Sequence, residues 1–191
     1  MMLRGLSARS HPLADRPGER VITALHVPGD FVDLHGFVLA GLDHSVIAVG
    51  PAEVEWVSHD DLTEITENFP HLTRLLWMAT LIDAAVQRQW LVAAASLRSS
   101  AHLAHLLCEI YTRLNVVGAA SNHRFNLPLL QRELAEILGY TPIHVNRAVR
   151  DLRDRGLIRW TSADVTILDW EGLARLARFE AGYLDLNQCD R

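Results

Sequence analysis

The chain has 191 residues, a length that fits one large or two small domains. Its hydrophobic fraction of 49% and charged fraction of 21% are typical of a folded protein, and no apolar run approaches the roughly 20 residues of a membrane span. The formal net charge of −5 argues against indiscriminate coating of nucleic acid, although a local basic surface is compatible with it.

Two further observations narrow the class of protein. The first 19 residues lack the apolar run of a secretory signal, so we expect a cytoplasmic protein. Cys108 and Cys189 are the two cysteines, too few for a disulfide framework or for a four-thiolate metal site.

The N-terminal part predicts a loose arm followed by short strands. Residues 1–17 lack apolar periodicity and carry two prolines, which favours an unstructured arm. Residues 21–25 and 46–49 are β-like apolar runs separated by turns that contain Gly and Pro. This segment predicts part of a β-barrel or β-roll that is too short to close a core by itself.

Two helices follow this segment. Residues 60–65 open a short helix, and residues 71–97 predict a long one of about 40 Å at 1.5 Å per residue. One apolar stripe of the long helix has the three-four spacing of a coiled-coil seam, and a second stripe lies beside it. We therefore expect two packing partners, namely the β-region and the same helix of a second subunit; the alternative is a helix buried in the core of a monomer. The seam contains Leu72, Leu75, Ala79, Ile82, Val86 and Ala93, and the second stripe contains Trp77, Leu81, Ala84 and Leu91.

The local signals between residues 125 and 168 predict a helix-turn-helix. Ser100 first caps a helix that runs to about Leu114. Pro128 then suits the first turn of another helix, which ends at Gly139. Thr141 caps the next helix, and Pro142 occupies its first position, so the two helices meet at a sharp angle.

The second helix of this pair has an apolar back and a basic front. Val145, Ala148, Val149 and Leu152 recur at helical spacing and predict the buried face. Arginine can pair with guanine and asparagine with adenine in the major groove, and the N-terminal residues of a recognition helix reach the base edges. The candidate DNA-binding residues are Thr141, Pro142, Ile143, His144, Asn146, Arg147 and Arg150.

A hairpin completes the motif. Gly156 ends the recognition helix, residues 157–160 predict a strand, and residues 165–168 predict its return after a turn at 162–164. Helix, helix and hairpin in this order form a winged helix-turn-helix.

With Ala135, Gly139, Val145 and Ala148 at its small, turn and buried positions, the motif resembles the Crp/Fnr-type transcription regulators. The run from Thr141 to Arg147 resembles the start of that family's recognition helix, and the resemblance implies a base contact for Arg147. The family commonly has Glu where this chain has Ile143, which changes the expected operator. RNA polymerase is a further partner that the resemblance implies.

Upstream, the resemblance covers residues from about 15 onward. The family has a β-roll of the cyclic-nucleotide-binding type. Residues 15–20 look like a hairpin turn of that roll, and residues 29–31 match its Gly-Asp-Phe motif. The sequence has no recognisable counterpart to the opening strands of that roll. We therefore expect either a misassigned start codon or a truncated gene. At the ribose- and phosphate-binding positions the chain has Leu34, His44 and Ser45, which argues against cyclic AMP.

Several other groups of residues have simpler explanations than a metal or catalytic site. His102, His105 and Cys108 recur every three residues and could ligate a metal, but an ordinary helix core explains them better, and an iron–sulfur cluster needs more cysteines. Helix capping explains Asp60 and Asp61 better than acid–base catalysis does. We expect no metal, no cofactor and no enzymatic activity, and the effector is undetermined.

The sequence thus predicts an α+β protein in three parts. These are a partial β-roll sensor-like domain over residues 1–70, a dimerisation helix and hinge over 71–98, and a winged helix-turn-helix over 99–180. The expected function is sequence-specific binding to a palindromic operator as a homodimer. The alternative is an interaction module that forms heterodimers with an intact relative and modulates it.

Overall fold

The computed structural model describes residues 1–186, so Cys189 lies outside the described residues. The chain divides into two compact units, Met1–Gln87 and Arg88 onward. The first unit contains three strands, β1 (Met2–Pro12), β2 (Arg20–His26) and β3 (Ser45–Val54), and a 3₁₀ turn at Leu34–Phe37. Helix α1 (His59–Asn68) follows, and α2 (Pro70–Ser96) continues past the end of this unit.

The three strands form one antiparallel sheet in the order β2-β1-β3. The strands predicted at residues 21–25 and 46–49 are confirmed as parts of β2 and β3. The apolar core of this unit lies mainly along the sheet and under α1. It contains Met2, Leu6, Ala8, Ile22, Ala24, Leu25, Val27, Val49 and Leu62.

The predicted loose arm at residues 1–17 is wrong, because β1 is the central strand of the sheet. Ala8 pairs with Leu25 on one side and with Ile47 on the other. The strand escaped a pattern-based prediction because it buries polar side chains. Ser7 and Arg9 are both buried, and the Arg9 Nη2 atom lies 3.1 Å from the Asp83 carboxylate of α2.

Gly5 explains how β1 bends within the sheet. The pairing of β1 with β3 shifts register on either side of Arg4, as a β-bulge does. Gly5 has φ +77°, and a Cβ at this position would collide with the backbone carbonyl of Pro51. Glycine is therefore required both by the backbone conformation and by the close approach of β3.

The two predicted helices of this region are confirmed. Helix α1 begins at a capping box in which the Ser58 hydroxyl accepts from the Asp61 N–H and the Asp61 carboxylate accepts from the Ser58 N–H. Capping therefore accounts for Asp61. Helix α2 covers residues 70–96, one residue from the predicted bounds at each end.

The second unit contains α3 (Ser99–Val116), β4 (Arg124–Asn126), α4 (Gln131–Leu138) and α5 (Pro142–Asp154). Strands β5 (Ile158–Thr161) and β6 (Asp164–Ile167), helix α6 (Trp170–Ala177) and a 3₁₀ turn at Ala181–Leu184 complete it. The strands form an antiparallel sheet in the order β4-β6-β5, so the wing has a third strand that the sequence did not reveal. The core includes Leu103, Leu107, Ile110, Leu127, Leu134, Val145, Leu152, Ile158 and Leu173.

Two predicted helix starts in this unit are wrong by a few residues. Arg98, rather than Ser100, is the N-cap residue of α3, and the Ser100 side chain hydrogen-bonds Asp151 of α5 instead. Pro128 precedes α4 rather than lying in its first turn, because the Leu130 N–H is satisfied by the Glu133 carboxylate at 2.8 Å. A side chain that reaches back to the cap sets the start of the helix here.

A buried carboxylate ties several elements of the second unit together. Glu109 of α3 is fully buried. It accepts hydrogen bonds from the Trp90 indole N–H at 3.1 Å and from the Tyr183 hydroxyl at 2.7 Å, and Arg113 pairs with it at 3.3 Å. Burial and the neighbouring carboxylate raise the pKa of Tyr183, which therefore remains a donor. Within the described residues, no helix is long and apolar enough to cross a membrane.

Candidate nucleic-acid interface

Helices α4 and α5 meet at the turn that the sequence predicted. Gly139 ends α4 with φ +69°, the left-handed conformation that glycine adopts at little cost. Thr141 is the N-cap residue of α5, and its hydroxyl oxygen accepts from the His144 N–H at 3.4 Å. Pro142 occupies the start of the helix, where a missing N–H costs nothing.

The two faces of α5 differ sharply in burial. Val145, Ala148 and Leu152 are buried against the domain, whereas Val149 is only half-buried. The opposite face is exposed along its length, and Ile143 is 64% exposed. All seven candidate DNA-binding residues are exposed, namely Thr141, Pro142, Ile143, His144, Asn146, Arg147 and Arg150.

The polar candidates on this face divide into engaged and free side chains. The Asn146 Nδ2 atom donates to the Gln131 carboxamide oxygen of α4 at 2.8 Å, and the His144 Nδ1 atom lies 2.8 Å from the Thr141 hydroxyl. Arg147 and Arg150 form no hydrogen bond or ion pair with any residue among the described 1–186. The two guanidinium groups are therefore available to an external acceptor.

Asp151, near the C-terminal end of α5, forms hydrogen bonds within its own domain. The Ser100 hydroxyl and the Arg155 guanidinium hydrogen-bond the Asp151 carboxylate and lower its pKa. The bond to Ser100 links α5 to α3, which lies on the buried side of the helix. Asp151 is thus directed towards its own domain, whereas the second acidic residue of α5, Asp154, is exposed four residues after Arg150.

The wing adds two arginines that the sequence analysis missed. Arg124 of β4 and Arg159 of β5 both pair with Thr166 of β6, so their side chains share one face of the sheet. Both arginines are exposed, while Phe125, Val165 and Trp160 on the other face are buried. The alternation of exposed and buried residues could have indicated Arg159, but β4 is too short to be read from its sequence.

The effector positions suggested by the resemblance do not meet at one cavity. Leu34 begins the 3₁₀ turn and lines an apolar cavity of about 580 Å³ between that turn, the sheet and α1. The His44 side chain instead lies beside Asp33 and Asp43, and Ser45 is an exposed residue at the start of β3.

The three regularly spaced residues of α3 are core residues, as the simpler explanation had it. His102 and His105 are buried, and the His102 Nδ1 atom lies 3.3 Å from the Tyr140 hydroxyl. Burial raises the pKa of Cys108 to about 12 and lowers the pKa of His105. The Cys108 thiol is therefore not in its reactive thiolate form at neutral pH.

Comparison with known proteins supports the interpretation of this surface. Residues 101–176 match the family model of the Crp-like helix-turn-helix domain. This part of the chain is a Crp-like helix-turn-helix domain. The match begins in α3 and ends in α6, so it contains the α4–α5 pair, the wing and the buried face that supports them.

Relatives that match most of the chain are named as transcription regulators. The transcriptional regulatory protein Btr of Bordetella pertussis is 27% identical over 86% of this chain and 67% of its own length. The transcriptional activator protein FnrA of Stutzerimonas stutzeri is 26% identical over 84% of this chain and 65% of its own length. The chain thus spans about two thirds of the length of these relatives.

Solved structures confirm the fold class. The structure of FixK2 from Bradyrhizobium japonicum superposes with a TM-score of 0.78, at 22% sequence identity, over 92% of this chain and 85% of that one. The chain therefore has the α+β fold of the Crp/Fnr-type regulators, with a cyclic-nucleotide-binding-like β-region ahead of its Crp-like helix-turn-helix domain. The resemblance seen in the sequence is confirmed.

Proposed function

We propose that the protein is a sequence-specific transcription regulator that inserts α5 into the major groove of double-stranded DNA. The observation that carries this proposal is the exposed face of α5, where Arg147 and Arg150 have no partner within the described chain. A helix with this arrangement fits the width of the major groove, and its arginines match the acceptor pattern of guanine. The Crp-like helix-turn-helix domain supports the same function.

Different side chains have different tasks in this proposal. Arg147 reads a base pair near the start of α5, and Ile143 touches a thymine methyl group. Arg124 and Arg159 bind backbone phosphates through the exposed face of the wing, which positions α5 without reading sequence. Thr141 and His144 hold each other at the start of the helix, so their contribution is to orient the first turn.

A homodimer is part of the proposal because α2 exposes large apolar side chains. Trp77 is 67%, Leu81 57% and Leu91 72% exposed, and all three belong to the second stripe of the helix. Of the first stripe, Val86 and Ala93 are buried within the chain, whereas Leu72 and Leu75 at its start are 42% and 37% exposed. The second stripe, whose large side chains are the more exposed, is therefore the main face that pairs with another copy in this proposal. Two helix-turn-helix units of such a dimer read half-sites of an inverted repeat about 34 Å apart.

Selection of binding sites from random duplex DNA tests the proposal. We expect the wild-type chain to enrich an inverted repeat. Arg147→Ala should weaken binding to that site by about 1–3 kcal/mol and relax the preference at one base pair in each half-site. Arg159→Ala should weaken binding on all sequences and reduce the salt dependence by about one phosphate contact.

The exposed Arg175 of α6 provides the matched control, and Arg175→Ala should leave the enriched sequence unchanged. Failure to enrich any sequence would overturn the proposal, and a monomer with no enriched site would favour the interaction module instead. If Arg147→Ala weakens binding equally on every sequence, Arg147 contacts phosphate only, and base reading by this residue is wrong.

A further inference from the structure

Three potential metal ligands meet in the first unit, which does not contain the Crp-like helix-turn-helix domain. Asp33 precedes the 3₁₀ turn, His35 lies within it, and His44 directly precedes β3. One carboxylate oxygen and one nitrogen from each imidazole all lie within 4.8 Å of one another. This is the one such cluster among the described residues 1–186.

The hydrogen bonding of His44 leaves one ring nitrogen facing a carboxylate. The Nδ1 atom is 2.8 Å from the Asp43 carboxylate, an acceptor, so Nδ1 carries a proton. In the neutral ring the Nε2 atom then has a lone pair, and it lies 3.4 Å from the Asp33 carboxylate oxygen. Two acceptors face each other, an arrangement that is favourable only with a cation or a second proton between them.

The distance between His44 and Asp33 and the outer hydrogen bond of His44 both match a metal centre. Bonds of about 2.0–2.2 Å in tetrahedral geometry place neighbouring ligand atoms about 3.3 Å apart, close to the separation of His44 Nε2 and Asp33 Oδ1. Histidine ligands commonly donate their other N–H to a carboxylate, as His44 does to Asp43. We infer that Asp33, His35 and His44 bind a divalent transition-metal cation of the zinc type, with its remaining coordination positions open to solvent.

The surroundings favour a dication and allow the small movement that binding requires. Arg9 opposes a cation, but its guanidinium is paired with Asp83 at 3.1 Å, and the carboxylates of Asp33 and Asp43 lie directly at the cluster. A cavity of about 250 Å³ between the 3₁₀ turn and α2 is lined by His35 and Asp83, which gives the His35 ring room to turn.

The ligands differ in their exposure to solvent. The His44 side chain is only 3% exposed, whereas the Asp33 side chain is 40% exposed. The buried imidazole is held in place by its neighbours, and the carboxylate faces solvent, so a metal ion can enter from the Asp33 side. Two histidines and one carboxylate suit zinc or ferrous iron rather than magnesium or calcium, which prefer oxygen ligands.

Zinc titration of the full, untagged chain tests this inference. After removal of metals with a chelator, equilibrium dialysis and competition with a chromophoric zinc indicator should show one equivalent of tightly bound Zn²⁺. Asp33→Asn, His35→Gln and His44→Gln keep the shape of each side chain but replace a good zinc ligand, so each should abolish this binding. Asp43→Asn, which changes only the outer hydrogen bond, should weaken it about 10–100-fold.

A histidine outside the cluster provides the matched control. His71 of α2 is exposed, and His71→Gln should bind zinc like the wild type. Circular dichroism of every variant checks that the fold is kept. Zn²⁺ should raise the melting temperature of the wild type and of His71→Gln, should raise that of Asp43→Asn only at higher concentration, and should leave the three ligand variants unchanged. Cobalt(II) should give the visible absorption of a tetrahedral site in the wild type and in His71→Gln but in none of the three ligand variants.

Two results would overturn the inference. Zinc binding that is weak and non-stoichiometric in the wild type would show that Asp33, His35 and His44 do not form a metal site. One equivalent of zinc that binds equally to the wild type and to all three ligand variants would place the metal elsewhere in the chain. Neither result depends on DNA binding, so the proposed function is tested separately.

Discussion

The imidazole of His102 is buried in the second unit, with its Nδ1 atom 3.3 Å from the hydroxyl of Tyr140. Burial, assisted by the neighbouring His105, lowers the pKa of His102 to about 4 from an ordinary value of 6.5. The folded protein therefore holds this histidine neutral in a pH range where the unfolded chain protonates it.

The stability of the second unit should consequently fall on acidification. Between pH 6.5 and 4 the unfolded chain binds more protons at His102 than the folded chain does, so stability rises with pH throughout this window. Urea titrations at a series of pH values should show the full stability above pH 6.5 and a progressive loss towards pH 4.

The matched variants are His102→Gln and His71→Gln. His102→Gln should make the pH dependence shallower in this window, with a remainder due to His105, whose pKa burial also lowers. His71 is exposed, and His71→Gln should retain the wild-type slope. An unchanged slope in His102→Gln would show that other groups control the acid sensitivity.

Single residues of the candidate site could be predicted where the signal is local. Gly139, Thr141 and Pro142 each act within one turn of their own position, so their sequence context was sufficient. The engagement of Asn146 by Gln131 depends on how two helices pack, which no local pattern encodes. The same reason applies to the cluster around His44, whose members come together through the fold of a loop rather than through helical or strand spacing.

At the scale of elements, burial pattern decided what the sequence could reveal. Helix α5 buries apolar residues at helical spacing and caps itself, so its bounds and faces were predictable. Strand β1 buries Ser7 and Arg9 because β2, β3 and α2 provide their surroundings, and Arg9 pairs with Asp83 at the far end of the unit's sequence. A strand with polar buried residues has no two-residue hydrophobic alternation, so its sequence predicts a loose arm instead.

Hydrogen exchange tests the position of β1 directly. Residues 7–10 pair with both neighbouring strands, so their backbone amides should exchange slowly, at rates close to those of β2. Residues 40–43 lie outside the helices and strands and provide a fast-exchanging internal control. Rapid exchange throughout residues 2–12 would restore the loose-arm interpretation. Peptide-resolved mass spectrometry is sufficient for this comparison.

At the scale of the whole molecule, the two units have separate cores. The first unit contains Asp33, His35, His44 and the apolar cavity of about 580 Å³, and the second contains the Crp-like helix-turn-helix domain. Helix α2 belongs to both units, and its exposed stripe is an apolar surface that a soluble monomer rarely retains. Pairing through α2 would therefore bury this surface and bring two copies of α5 to one DNA site.

Disruption of the exposed stripe should separate the dimer. Size-exclusion chromatography with light scattering should give the wild-type chain a mass of about twice the 21.4 kDa of one chain. Leu81→Glu places a charge in the middle of the stripe and should yield the mass of one chain, because an unpaired carboxylate is costly to bury. Val38→Glu makes the same change at an exposed residue outside α2 and should leave the dimer intact.

DNA binding provides a second measurement of the same change. The selected inverted repeat should bind Leu81→Glu far more weakly than the wild type, whereas a single half-site should bind Leu81→Glu and the wild type alike. A wild-type chain of monomeric mass would contradict the dimer and leave α5 to read one half-site alone.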